Sequence, residues 1–235
     1  MYKNIELLNT NEHKNIAIKQ VADVAYAQEL TSSPITVPEF FEACKDYPIV
    51  FAKDASNNSW FATVLLGYQE KQNIFINNET KFWEPNRYIP AFIRRYPFVS
   101  VAQPSAQEIA IAIESEYKSE DEKDASRKLF NEDGSNTEFL NNVISFLNQY
   151  QNDAVATTAF INQLNDWELL EEKTATITTA DNKIYNINGL FIVNEEKLKH
   201  LSKKKQEDIC KNNASPLITA HLISLSNIAR LGRRG

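Results

Sequence analysis

Between Asn136 and about Leu170 the hydrophobic period of this chain is helical. Phe139, Val143, Phe146, Leu147 and Tyr150, and then Val155, Phe160, Ile161, Leu164 and Trp167, return at the spacing that lines up one face of an α-helix. Ser135 to Thr137 offer side-chain caps at its start. The pattern predicts one long helix, or two with a break near Asn152 and Asp153. A stripe of that length must be covered, so the remainder of the chain has to supply a packing surface.

The flanking segments carry strand signals. "IVFAKD" from Ile49 and "WFATVLLGY" from Trp60 are short, rich in β-formers and separated by polar "ASNNS", and "NIFIN" from Asn73 follows "QEKQ". Together they predict an antiparallel meander. Ile109, Ile111 and Ile113 alternate with smaller neighbours, as in a strand with one buried face. "KTATITTADNKIYNINGLFIVN", 173 to 194, predicts a hairpin turning at Asp181-Asn182, with Gly189 at a bulge. Earlier, Ile16 and Ile18 give a brief alternation, and Thr31 to Pro34 carry turn chemistry. "SEYKSEDEKDASRK", from Ser115, is charged enough to read as a solvated loop.

Two Tyr-Pro pairs mark boundaries. "CKDYPIVFA" and "IRRYPFVSV" both run from a helix end into a β-rich segment, since the residue before proline is pushed out of the helical region. The first belongs to "TVPEFFEACKDYP", a short helix with Thr36 as cap and Pro38 in its first turn. On a helical wheel through the second, Ile89, Phe92, Ile93 and Tyr96 share a face, while Arg87, Ala91, Arg94 and Arg95 lie opposite. Amphipathicity explains that mixing. The choice of arginine three times also suits bidentate contact with carboxylate or phosphate, so pairing within the fold and a ligand site both stand. Further on, Asn194 caps a helix with Glu195 and Glu196 in its first turn and Lys203 to Lys205 at its end. A last helix starts at Ser215-Pro216, with Ile218, Leu222, Leu225 and Ala229 in one stripe and Leu217, His221 and Ile228 beside it.

Composition removes several function classes. At 235 residues and a net charge of -6, the chain is long enough for one large core and too acidic, with too little basic clustering, for a nucleic-acid binder. Its basic clusters are Lys203 to Lys205 and Arg230, Arg233 and Arg234. No apolar run approaches the roughly 20 residues of a membrane span, and the first fifteen residues lack a secretory signal's apolar core. A cytoplasmic location is the expectation, with surface association only by non-classical export. Cys44 and Cys210 read as ordinary buried or half-buried thiols. Five glycines leave no phosphate-cradling loop.

Candidate chemistry is sparse. His13 is expected to be exposed, His200 to sit near a helix end, and His221 to be a core histidine or, in an enzyme, a base. Asp166, Glu168, Glu171 and Glu172 read as a solvated acidic helix end, and Trp60, Trp83 and Trp167 as core or loop anchors. No metal-ligating spacing occurs, and no cofactor or metal is expected.

Taken in order, "YPIVFA", "VLLGYQEKQNIFIN", "RYIPAFIRRYPFV", "KLFNEDGSNTEFLNNVISFLNQYQ", "NGLFIVNEEKLKHL" and "AHLISLSNIARL" resemble the SapC family of bacterial proteins over roughly residues 15 to 232, most specifically at 88 to 98. The resemblance implies an association with surface-layer assembly and, more loosely, with outer-membrane receptor and flavin halogenase genes. It brings no catalytic residues. The combined expectation is a single α+β domain over residues 1 to 235. An antiparallel or mixed sheet, mainly from 49 to 113 and 173 to 194, is packed by the long central helix and a C-terminal helix. The leading functional expectation is a non-enzymatic accessory or binding protein with a protein or peptide partner, its candidate site comprising Arg87, Tyr88, Arg94, Arg95, Tyr96 and His221. The alternatives are an enzyme acting on a carboxylate- or phosphate-bearing substrate, with Arg94 and Arg95 as clamps, and a structural surface-layer component.

Overall fold

In the computed structural model, which describes residues 1–102 and 109–233, both Tyr-Pro pairs end a helical turn and start a strand. In chain order the strands are β1 (Ile5–Leu7), β2 (Ala17–Ile18), β3 (Ser32–Ile35), β4 (Ile49–Lys53), β5 (Trp60–Leu65), β6 (Phe98–Ala102), β7 (Ile109–Glu114), β8 (Lys118–Ser119), β9 (Leu170–Thr178) and β10 (Ile184–Val193). The α-helices are α1 (Thr10–His13), α2 (Phe40–Ala43), α3 (Ala91–Arg94), α4 (Glu138–Asp166), α5 (Glu195–Lys199), α6 (Lys203–Lys211), α7 (Ala214–Ser224) and α8 (Ile228–Leu231). "QPSAQ", 103 to 107, and Arg234 lie outside the described residues.

The architecture is α+β, and every pairing between these strands is antiparallel. The expected single sheet is divided. Its larger part has the order β3-β5-β4-β10-β9, while β6 and β7 leave it to join β1 in the order β1-β7-β6, and β2 pairs with β8. The reason lies at β5. Its free side is taken by β3, from the segment that carries turn chemistry at Thr31 to Pro34. Pro34 is tolerated there because β3 is an edge strand. With that side occupied, "NIFIN" forms a loop, keeping only an isolated bridge between Ile76 and Trp83 and folding back through Ile74 N–H to the Leu66 carbonyl at 2.9 Å.

Helix α4 runs unbroken for 29 residues, about 43 Å. The Thr137 hydroxyl accepts from the Leu140 N–H at 3.2 Å to cap it. Its length lets it serve two cores. Leu140 and Leu147 pack with Ile18, Phe98 and Ile113, whereas Phe160, Ile161 and Leu164 join Phe40, Phe51 and Trp60 against the large sheet. Trp60, Trp83 and Trp167 are all buried in this second core. Helix α7 covers the same sheet through β4 and β10.

The β9–β10 hairpin follows its sequence. Asn182 takes a left-handed conformation in the turn (φ 63°), and Gly189 (φ 72°) falls where the register slips between Ile187 and Leu190. Strand β7 does not have one dry and one wet face: Ala112 and Glu114, which alternate with Ile113, are as buried as it is, and the Glu114 carboxylate is satisfied by the Lys3 and Asn4 N–H groups. Nor is 115 to 128 simply solvated. Strand β8 lies within it, and buried Asp124 accepts from the Ser119 hydroxyl at 2.7 Å and pairs with Arg127.

Towards the C-terminus, α5 stops at Lys199, so Lys203 to Lys205 open α6 instead of closing α5, with Ser202 as the cap. Beyond α7, a 3₁₀ turn at Leu225–Asn227 shifts the phase of the final stripe, leaving Ala229 exposed and Leu231 buried. His13, expected in water, is buried at 1% exposure. There it lies 3.6 Å from the Glu6 carboxylate and packs back on the Asn9 backbone. Cys44 is half-buried, but Cys210 is exposed on α6. Among the described residues, no helix is long and apolar enough to cross a membrane.

Candidate functional site

The arginine-rich segment is helical for one turn only, α3, so the wheel drawn from 87 to 96 holds for part of it. Ala91, which the wheel places on the wet face, is buried. Arg87 precedes the turn and is held by two carboxylates: its Nη1 lies 2.7 Å from Asp46 Oδ1 and its Nε 3.2 Å from Glu84 Oε1. The second oxygen of Asp46 accepts the Tyr88 N–H at 3.0 Å. This guanidinium therefore fastens the segment to the loop that follows α2.

Tyr88 forms the next layer. Its hydroxyl donates to Glu39 Oε1 at 3.0 Å, and the same oxygen accepts the Ala91 N–H at 2.7 Å. Glu39 Oε2 closes the capping box, accepting the Thr36 N–H at 2.8 Å and the Thr36 hydroxyl at 2.9 Å. The Tyr47 hydroxyl donates to the Tyr88 carbonyl. Burial, followed by the nearby Glu39 carboxylate, pushes the Tyr88 phenol up to about 12. It is a neutral hydrogen-bonding group at ordinary pH.

Arg94 and Arg95 are placed differently. Arg94 is exposed; its Nε donates to the Ile89 carbonyl at 2.9 Å and its Nη2 to the Tyr88 hydroxyl at 3.2 Å. Its guanidinium carbon is 5.6 Å from the centre of the Phe146 ring. Arg95 is half-buried, 4.2 Å from the Phe92 ring centre and 5.3 Å from that of Tyr150. Its Nε is enclosed without a hydrogen-bond partner among the described residues. Neither arginine lies within ion-pair distance of a carboxylate among the described residues.

Both border a cavity of about 360 Å³ between the start of α4, the segment after β2 and the Tyr96–Phe98 corner. Phe139, Val143 and Phe146 of α4 line it together with Ile18, Val21 and Phe98, the Phe98 and Phe139 rings meeting at 6.0 Å between centres. Among the described residues, no Asp or Glu lines this cavity. Of its other two cations, Arg127 is paired with Asp124 and donates to the Ile18 carbonyl, while Lys19 donates to the Glu116 backbone carbonyl at 2.7 Å and has no carboxylate at ion-pair distance among the described residues. What results is an apolar chamber with two uncompensated guanidinium groups at its border, an arrangement suited to holding an anion that carries apolar mass.

Tyr96 contributes to the wall from a cluster of phenols. It stacks on Tyr26 at 3.9 Å between ring centres and meets Tyr2 at 5.4 Å and Tyr117 at 5.1 Å. Burial raises all four phenols, Tyr2 to about 12 against the opposing pull of Arg95. The cluster therefore adds no negative charge near the arginines. His221 is elsewhere, fully buried and stacked 4.6 Å from Phe51, with Nε2 accepting the Val193 N–H at 3.0 Å. Burial pushes its pKa down to about 4, the Ile49 backbone acting weakly the other way. It does not line the chamber, so the geometry gives it no role as a base beside Arg94 and Arg95.

Sequence reasoning missed the chamber's walls. Phe139, Val143 and Phe146 carry the same helical spacing as true core residues, and only their half-buried state distinguishes them. Arg127 and Lys19 lie in segments whose sequence reads as loop. Among the described residues, no group of three or more His, Cys, Asp or Glu side chains is placed to hold a metal ion. No curated protein and no solved structure matches the chain. A family model does match, from residue 8 to residue 231, and it bears out the resemblance read from the segment around Tyr88 to Phe98: the chain belongs to the SapC family.

Proposed function

We propose that this SapC-family chain is a non-enzymatic, cytoplasmic binding or accessory protein serving surface-layer or cell-surface systems, and that it binds the anionic group of its partner at Arg94 and Arg95. One observation carries the reading. Of the three arginines between 87 and 95, Arg87 is neutralised by Asp46 and Glu84, while Arg94 and Arg95 border an apolar chamber with no carboxylate in its wall among the described residues. Uncompensated guanidinium groups beside low-dielectric surface bind carboxylate or phosphate more strongly than solvated ones. The overall acidity of the chain argues against nucleic acid as that anion.

The test is a titration of the folded protein with benzoate, followed through the arginine Nε–H resonances by NMR. The resonances of Arg94 and Arg95 are expected to shift saturably, with those of Arg87 unmoved. Unchanged Arg94 and Arg95 resonances would overturn the site, and chemical turnover of a bound anion would overturn the non-enzymatic reading. Cell fractionation tests the location, which fails if native protein is recovered in the surface layer and not the cytosol.

A further inference from the structure

We infer that the ligand of this site is a free aliphatic carboxylate of medium chain length, its head on Arg94 and Arg95 and its tail in the chamber. The inference rests on the anion-binding reading above and names the rest of the molecule. The first argument is the chemistry of the walls. Phe139, Val143 and Phe146 from α4 share the wall with Ile18, Val21 and Phe98, so most of what a ligand meets beyond the arginines is hydrocarbon. A peptide inserted there would bring amide groups that need hydrogen-bond partners, and burying them unpaired is costly. A hydrocarbon tail has no such requirement and gains from leaving water.

Size gives the second argument. About 360 Å³ lies near the lower end of the range for small-molecule pockets. It suits one short chain and excludes a folded partner. Charge gives the third. Arg127 is neutralised by Asp124, and Lys19 donates to the Glu116 carbonyl; the two guanidinium groups of Arg94 and Arg95 face no carboxylate among the described residues, and the buried Nε of Arg95 has no hydrogen-bond partner among them. A single planar carboxylate is matched to such a fork, and one anionic head leaves the rest of the ligand free to be apolar.

Isothermal titration with acetate, hexanoate, octanoate and decanoate, each below its micelle concentration, tests this directly. Affinity is expected to rise about fourfold per methylene until the chamber fills, the increment that burial of one CH₂ supplies. Decanol should bind at least tenfold more weakly than decanoate. The double variant Arg94→Gln with Arg95→Gln should lose that preference while keeping the native circular dichroism spectrum. Val143→Phe, which fills the chamber and leaves the arginines in place, should weaken decanoate more than tenfold and benzoate hardly at all. Should the double variant misfold, the Val143→Phe comparison still decides.

The two levels fail separately. If benzoate shifts the arginine resonances but affinity is flat from acetate to decanoate, the aliphatic ligand is wrong and the anion site stands. If a tripeptide ending in leucine binds more tightly than octanoate, a peptide carboxylate replaces the fatty one. If no anion perturbs Arg94 or Arg95 at all, both levels fall.

Discussion

The hydroxyl of Tyr88 donates to Glu39 Oε1 at 3.0 Å, and through that contact the arginine segment is tied to the start of the helix that precedes β4. Glu39 is buried and accepts four hydrogen bonds: two from Thr36, one from Tyr88 and one from the Ala91 N–H. One carboxylate thus closes a capping box and fixes both Tyr88, two residues before Pro90, and Ala91, the first residue of α3. The position of Arg94, whose Nη2 donates to the same Tyr88 hydroxyl, depends on it.

Glu39→Ala would leave two buried backbone N–H groups and two hydroxyls without their acceptor. Hydrogen bonds to a charged group contribute about 1.5–3 kcal/mol each, and partial rehydration recovers some of this. A loss of about 3 kcal/mol is expected, read as a lower urea midpoint at unchanged slope. A loss under about 1 kcal/mol would mean that the segment is held mainly by Arg87 and Asp46.

Most of the local structure was legible because it depends on neighbours in sequence. Both Tyr-Pro boundaries, the Thr137 cap, the helical period of α4 and the Gly189 bulge are read from a few adjacent residues, and each is present; that α4 is one helix and not two with a break near Asn152 and Asp153 is seen only in the fold. What escaped depends on partners distant in the chain. Nothing in "NIFIN" reveals that β3 already occupies the side of β5 it would need. Nothing in Glu114 reveals that the Lys3 and Asn4 N–H groups satisfy it from β1's side at 2.6 and 2.9 Å. The same holds at the candidate site. The three arginines are alike in sequence, and Arg87 is set apart by Asp46, 41 residues away, which reaches it beside the nearby Glu84.

His221 should make stability fall on the acid side. In the fold it is neutral, with a pKa of about 4, whereas an unfolded histidine titrates near 6.5. Between those values the unfolded chain binds more protons, so its population grows as pH falls. The stabilisation is fully present above about pH 6.5 and is lost progressively towards pH 4, amounting to about 3 kcal/mol over the window. Urea unfolding across that range should show the decline. His221→Gln, which still offers the Val193 N–H an acceptor oxygen, should flatten it. An identical decline in the variant would assign the acid sensitivity to other groups.

Architecture and site can be separated within the triple arginine by stability alone. Arg87 pairs with Asp46, whose side chain is 8% exposed, and removing the partner of a largely buried carboxylate is costly. Arg87 itself is 33% exposed, which screens the pair and lowers the expected cost of Arg87→Gln to about 2 kcal/mol. Arg94 is exposed, faces no carboxylate among the described residues, and donates to the Ile89 carbonyl and the Tyr88 hydroxyl. Arg94→Gln should therefore cost under about 1 kcal/mol. Thermal or urea unfolding of the two variants side by side measures the difference. A large loss in Arg94→Gln, equal to that in Arg87→Gln, would make its guanidinium a structural clamp as well, and the charge offered to a ligand would then rest on Arg95 alone.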